Sequence, residues 1–326
     1  MKVRIIVLLL VASLFSACTT LRSISFERLQ AADVSFPEQI RTVGVVNYMP
    51  NSSQGEKNVD YASNVLQGDG RIAAETFAQE IAATNYFDKV VICDSAMHQV
   101  DRGMPSSMSQ EMVKSLLQSL EVDMLFVMEQ LNIQLKEGYL YAPEIMEYVP
   151  SMDAAVTPVM KVYVSNRNAP LFTVSKSDTI CWEYLPSLTV NQVVKDASEY
   201  GATIPVEHLL PHWKEMHRFY YDGGFVDMRD AAVFVREQNW DAALRLWQKV
   251  YDGKKKGKAK MRAAFNMALY YEMQDDYDRA LSYLEEALPW VDEESTDGSL
   301  LRFYRMQLEE QKQKNLKLKI QMKRFE

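Results

Sequence analysis

Three of the four histidines, His208, His212 and His217, lie close together, with Glu207 and Glu215 beside them. Imidazoles four apart on a helix share one face and can share a metal ion, and His208 with His212 has that spacing. Pro211 falls between them and disturbs the helical register, and no HExxH arrangement places a glutamate as base. Interdomain packing or exposed imidazoles is the plainer alternative, so no metal is assigned. The three cysteines are Cys18, Cys93 and Cys181, and none has the CxxC or Cys/His spacing of a zinc or redox site. Cys93 and Cys181 fall in two expected strands, either joined in an oxidising compartment or packed as two buried free thiols. The GDG at 68–70 lacks the Gly-Lys-Ser/Thr element of a phosphate loop and reads as a turn with a helix cap at Asp69. There is no Gly-x-Ser-x-Gly elbow, no cysteine with a histidine partner in a signature context and no acidic pair spaced for acid/base work. The residues point to a protein that binds and does no catalysis, with no cofactor.

The elements that would do the binding are written twice. Around Trp240 the chain reads NWDAALRLWQKV and around Tyr277 it reads DYDRALSYLEEAL. Superposed, Trp240 falls on Tyr277, Ala243 on Ala280, Trp247 on Leu284, Val250 on Ala287, Ala231 on Ala268 and Phe234 on Tyr271. Small residues sit where two helices would touch and aromatics where the next helix would stack. This register resembles tetratricopeptide repeats, whose period is about 34 residues; the period here is 37, which an insertion in the GKKKGK turn explains. The resemblance implies that the first helix of each pair lines a concave groove, which puts Arg229, Arg236, Arg262 and Asn266 on the ligand side. Arginine and asparagine there would hold carboxylates or extended backbone of a protein or peptide segment. A solvated helix face is the alternative, since arginine is an ordinary exposed helix residue. Trp240, Trp247, Tyr271 and Tyr277 read as core. SLLRFYRMQLEEQ is expected to be one more helix closing the second pair, and LKLKIQMK beyond it fits neither period. The basic clusters KKKGKAKMR and KQKNLKLKIQMKRFE read as a solvated turn and an exposed terminus, or as contacts for an acidic partner or anionic headgroups.

The N-terminus is an address. MKVRIIVLLLVASLFSAC has Lys2 and Arg4, an apolar run from Ile5 to Phe15 too short to span a bilayer, and small residues before Cys18. It resembles a bacterial lipoprotein signal, although Phe15 stands where such signals usually carry leucine. That resemblance implies cleavage before Cys18 and acylation of it, and several acyl chains meet the need of stable anchoring for more than one membrane signal. An ordinary signal peptide with Cys18 incidental is the alternative. Thr19 follows, with no aspartate to suggest inner-membrane retention, and TTLRS lacks the acidic cluster that resembles a surface-export tag in Bacteroidetes. The expected location is the outer membrane, lipid-anchored and facing the periplasm.

Between the tether and the repeats, SISFERLQ and RTVGVVNY read as strands. QGDGRIAAETFAQEIAAT reads as a helix, KVVICDS as a buried strand, and the stretch with Met112, Val113, Leu116, Leu117 and Leu120 as a second helix. MLFVMEQLNIQL, VMKVYVSN and LFTVSKSDTICWE follow as strands. The order β-α-β-α-β-β-β predicts a mixed sheet with helices on one face. It looks like the α/β domains of periplasmic assembly lipoproteins, such as the curli-secretion pore family and the N-terminal domain of the Tol-system β-propeller protein. That likeness of order transfers no mechanism. NQVVKDASEY reads as helix, YGATIP as a break, and VEHLLPHWKEMHRFYY as helix kinked at Pro211.

A chain of 326 residues, 48% hydrophobic and 25% charged, is globular and long enough for two cores. A net charge of -8 and a pI near 5.3 exclude the basic footprint of a nucleic-acid binder. The expected fold class is α+β, a mixed-sheet α/β domain followed by an all-α, tetratricopeptide-like helical repeat domain. The segments are a signal peptide over 1–17, a lipidated tether over 18–23, the α/β domain over 24–188, connecting helices over 189–223, and repeats with a capping helix over 224–326. Taken whole, the sequence is similar to Bacteroidetes lipoproteins of unknown function that join such a domain to tetratricopeptide repeats. The expected function is a scaffold for protein–protein contacts. The alternative is a subunit of an envelope secretion or assembly complex in which the α/β domain pairs with further copies of itself.

Overall fold

The structure is a computed structural model that describes residues 21–50, 64–93, 108–183 and 188–326. The signal sequence and Cys18 lie outside the described residues. A mixed α/β sheet region is followed by an all-helical region, and the protein divides into two compact units. Residues 31–212 with 320–326 form the sheet unit, and residues 213–319 with the first strand form the helical unit.

In the sheet unit, β2 (Thr42–Asn47), β4 (Lys89–Cys93) and β5 (Met124–Ala142) run parallel, in the order β4-β2-β5. β6 (Glu147–Val164) returns antiparallel along β5, and β7 (Phe172–Val174) and β8 (Asp178–Glu183) pair with β6. A short β3 (Val65–Gln67) pairs antiparallel with β5. Helix α1 (Gly70–Ala83) starts where the Asp69 carboxylate accepts the Arg71 and Ile72 amides, as the cap reading of GDG expects. Helix α2 (Gln110–Leu120) is capped by Ser109.

The helices lie on both faces, not one. Phe77 and Ile81 of α1 pack with Val43, Val45, Phe126 and Met128, whereas Val113, Leu116 and Leu117 of α2 pack with Val46, Leu125 and Val127. Strand order is the cause. The crossover from β2 to β4 moves one way across the sheet and that from β4 to β5 moves back, and two right-handed crossovers in opposite directions leave their helices on opposite faces.

A bulge between Met128 and Gln130 shifts the parity of β5, so Phe126 and Met128 share a core with Leu131 and Ile133. Glu129 at the bulge is buried, and its carboxylate takes Lys161 Nζ at 2.6 Å and the Tyr163 hydroxyl at 3.0 Å. Beyond these partners the β5–β6 ribbon continues to an apex with Tyr139, Met146 and Tyr148 exposed at 76%, 79% and 70%. Cys93 is buried in β4, Cys181 is exposed on β8, and both are free thiols.

Helix α3 (Val190–Leu209) runs through YGATIP without a break and packs on the sheet, so it is part of this unit and no connector. Gly201 is what lets it lie so close, since a Cβ there would come within 2.6 Å of Leu131 Cδ1 and 2.7 Å of Val156 Cγ1. The C-terminal tail is no exposed terminus either. The Gln321 side-chain amide accepts from Ala32 N and donates to the Ala32 and Val34 carbonyls, while the Arg324 guanidinium lies 4.0 Å over the Tyr86 ring.

The helical unit contains α4 (Val226–Arg236), α5 (Trp240–Asp252), α6 (Lys258–Met273), α7 (Tyr277–Ala287) and α8, which runs Thr296–Met322 and takes in the LKLKIQMK stretch. Ala231, Ala243, Ala268 and Ala280 are fully buried, as are Trp247 and Leu284. The 37-residue period extends into the backbone. Gln238 and Asp275 both have φ of 58°, and Asn239 and Asp276 both cap the next helix, accepting the Ala242 and Arg279 amides.

Two strands complete this unit. SISFERLQ forms β1 (Leu21–Gln30), and it pairs with β9 (His212–Tyr221) in a separate two-stranded sheet. The kinked helix expected over VEHLLPHWKEMHRFYY therefore ends at Leu209, and the rest is strand, with Arg218 and Tyr220 turned inward.

Candidate functional site

The inner face of the second helix pair is filled by the protein's own strands. Asn266, on α6 and fully buried, accepts the Tyr221 amide and donates to the Tyr221 carbonyl, both at 2.7 Å. The backbone it holds is that of β9 and not that of a bound segment. Further along α6, the buried Glu272 carboxylate receives the Arg218 guanidinium in bidentate fashion, at 2.7 to 3.1 Å, and the Tyr304 hydroxyl at 2.7 Å. Burial, reinforced by that carboxylate, holds the Tyr304 phenol well above its ordinary pKa. β1 is pinned in the same region: Arg28 reaches the Glu272 carbonyl, Asp275 and the Tyr277 hydroxyl, and Gln30 accepts from Gln311.

Arg262 also serves this ribbon, with its guanidinium 4.9 Å over the Tyr221 ring. The hydroxyl of that tyrosine donates to Asp297 at 2.7 Å. Hydrogen bonds from Lys258 and Tyr221, with the charges of Lys258 and Arg262, outweigh burial and hold the Asp297 carboxyl below its usual value. Asn266 is thus committed to the fold, which corrects its expected place on a ligand, whereas Arg262 is half-buried over Tyr221. Arg229 is exposed on α4.

Arg236 is placed differently. It is exposed too, but it lines a cavity of about 490 Å³ together with Ser23, Ile24, Ser25 and Phe26 of β1 and with Trp240 and Met273. Gln238 and Tyr220 also line it, and none of the described lining residues is a carboxylate. Burial raises the Tyr220 phenol pKa, Asp222 raises it further, and Arg236 and Arg22 oppose both. Chemically this is a cavity of mixed lining, apolar at Ile24, Phe26, Trp240 and Met273 and polar at Ser23, Ser25, Gln238 and Arg236, suited to an anionic group carried on an extended ligand. Sequence reasoning points to Arg236 but not to the strand that shares the cavity.

The histidines do not converge. His208 near the end of α3 bonds Asp33 at 2.6 Å, His212 bonds the Leu210 carbonyl at 3.2 Å, and His217 is exposed on β9. No group of three or more His, Cys, Asp or Glu able to hold a metal occurs among the described residues. Of the basic cluster at 254–262, Lys254 sits 4.6 Å over the Phe225 ring and Lys260 sits 4.2 Å over the Tyr251 ring, so part of it packs on aromatics.

Comparison with known proteins gives families and no activity. Residues 229–310 match the model described as Domain of unknown function (DUF6340), and residues 40–221 match that described as Domain of unknown function (DUF8603). No curated protein matches. Among solved structures, the hypothetical protein CT253 from Chlamydia trachomatis matches at 11% identity, covering 52% of this chain and 91% of that one, with a TM-score of 0.27. The DUF8603 model spans more than half of the sequence, and the chain belongs to that family.

Proposed function

We propose that this protein is a non-catalytic, lipid-anchored envelope scaffold of the Bacteroidetes lipoprotein type, whose tetratricopeptide-like helical unit docks a segment of another protein. The observation that carries the reading is the cavity beside β1, where Arg236 has no carboxylate among the described residues lining the opening. The signal-like N-terminus with Cys18, and the two helix pairs with buried alanines at matching positions, support it. Cys18 precedes β1 by three residues, so the acyl anchor would feed into the helical unit and not, as the sequence order suggests, into the α/β domain.

The location is tested by labelling cells with radioactive palmitate: incorporation into the protein that is lost in Cys18→Ser supports the anchor, and an unlabelled mature protein ends it. Docking is tested with a photo-crosslinking residue introduced at Gln238. A discrete adduct that disappears in Arg236→Glu is expected. Adducts that are unchanged by that substitution, or absent, remove the helical unit as the docking surface.

A second reading is favoured by the β5–β6 apex. Tyr139, Tyr141 and Tyr148 are exposed there on one face of the ribbon, and Leu140 on the other. A ribbon apolar on both faces whose apex, among the described residues, pairs with no further strand suits pairing with further copies, as in an assembly subunit. Native mass measurement separates the readings: a closed oligomer that Tyr141→Asp with Tyr148→Asp breaks apart supports assembly, and a monomer excludes it.

A further inference from the structure

β1 pairs with β9 on one edge and, among the described residues, with no strand on the other. Four consecutive residues, Ser23, Ile24, Ser25 and Phe26, line the cavity. Successive side chains of a strand point to opposite faces, so a run of four consecutive residues brings β1 backbone as well as side chains to the cavity, and the edge of β1 away from β9 carries N–H and C=O groups that pair with no other strand among the described residues. Trp240 and Met273 add apolar surface to the same cavity, and Arg236 adds a guanidinium. None of the described residues that line the cavity with Arg236 is a carboxylate.

Resting on the docking reading above, we propose that the segment received here is an extended peptide that adds to β1 as a third strand and sets a carboxylate on Arg236. Four residues of strand span about 13 Å, and the cavity has the size of small-ligand sites, which run from about 300 to 1,000 Å³. A docked helix is about 10 Å across with its side chains, and with its own backbone bonds closed it would leave the β1 edge unpaired. An extended peptide satisfies the edge through its backbone, covers Trp240 and Met273 with a side chain, and gives the fixed guanidinium fork the planar anion it fits best. The carboxylate comes either from the free carboxy terminus of the peptide or from an Asp or Glu side chain.

The test uses the full-length protein in detergent and three pooled libraries of N-acetylated hexapeptides. One has free C-terminal acids without Asp or Glu, one has C-terminal amides with a single Asp or Glu, and one has amides with neither. Bound members are read by mass spectrometry. Enrichment in the first library assigns the terminal carboxylate, and enrichment in the second assigns the side chain; both support the proposal. The third is expected to stay unenriched. An enriched peptide should bind about tenfold more weakly to Arg236→Ala and recover in part with Arg236→Lys, which keeps the charge and loses the fork. Remade with alternate backbone nitrogens methylated, it should lose binding in one parity only, and alternate amides between Ser23 and Phe26 should slow their hydrogen exchange when it is bound. If no library is enriched, the docking reading fails with the proposal. If neutral amides bind equally well, or both methylated series bind and the β1 amides stay unprotected, strand addition with a carboxylate is wrong while docking stands.

Discussion

The two helix pairs share a backbone and differ in a handful of polar side chains. Arg229 occupies the place of Asn266, Val235 that of Glu272, and Arg236 that of Met273. In the second pair, Asn266 and Glu272 reach the protein's own β9 and fix it. In the first pair, Val235 offers no polar group to a strand, Arg229 is exposed, and Arg236 opens on a cavity. The core alanines, the φ of 58° after the first helix and the cap of the second helix are the same in both. Repetition of the packing register therefore builds the frame, and the polar residues added to it decide which part of it is tied to the protein's own strands and which lines a cavity.

The comparison breaks most sharply at Glu272. Glu272→Ala would leave the Arg218 guanidinium buried without its counter-ion, at a cost of about 3–5 kcal/mol. Val235→Ala, at the matching position, removes only methyl groups and should cost about 1–2 kcal/mol. Urea unfolding of each variant checks the pair. Arg218→Met with Glu272→Leu should recover much of the loss, because the expense lies in the unpaired charge. Equal costs for Glu272→Ala and Val235→Ala would mean that the ribbon is held by something other than this ion pair.

A smaller effect is expected at the preceding inner position. Asn266→Ala strands the Tyr221 amide and carbonyl away from water, at about 2–4 kcal/mol for the two groups together. Arg229→Ala touches an exposed side chain and should stay within about 0.5 kcal/mol of the parent. Backbone hydrogen exchange at Tyr221 should speed up in the first variant and not in the second.

Ala243 and Ala280 set the equivalence itself. Each is fully buried where two helices meet, so leucine at either should cost about 1–3 kcal/mol by overpacking. Matching losses in thermal melts would show the same contact in both pairs. A loss confined to Ala280→Leu would mean that the first pair packs loosely.

How much of this is legible depends on sequence range. The alanines and aromatics of the repeats, and the apolar runs of β2, β4 and β5, are local patterns with a fixed period, and they form the elements that the period predicts. β9 escapes that logic, because one inward position holds Arg218, a residue that reads as exposed until its partner Glu272 is known. Gly201 and Pro205 read as helix breakers, yet glycine is required where α3 meets Leu131 and Val156. The apolar stripe of α2 shows that one side is buried, not which face of the sheet receives it; strand order decides that. Arg236 is found through the repeat register, whereas the β1 edge at the same cavity follows from a pairing between strands far apart in the sequence.

The finest comparison lies in the turns. Gln238 and Asp275 both hold the left-handed conformation that glycine takes without steric cost, so Gln238→Gly relieves strain while giving the unfolded chain more freedom. The strain, about 1–2 kcal/mol, exceeds the added freedom, and the expected result is a gain of about 0.5–1 kcal/mol. Asp275→Gly relieves the same strain but also gives up the 2.9 Å contact with Arg28 and the hydrogen bond that the carboxylate accepts from the Tyr277 hydroxyl at 3.1 Å. That carboxylate is largely exposed, so water and salt screen the ion pair and its loss should offset only a few tenths of a kcal/mol. Asp275→Gly should therefore melt below Gln238→Gly, and the gap should narrow in high salt to the part due to the Tyr277 hydroxyl. A gap that does not narrow in high salt would mean that the Arg28 ion pair adds nothing to the second turn.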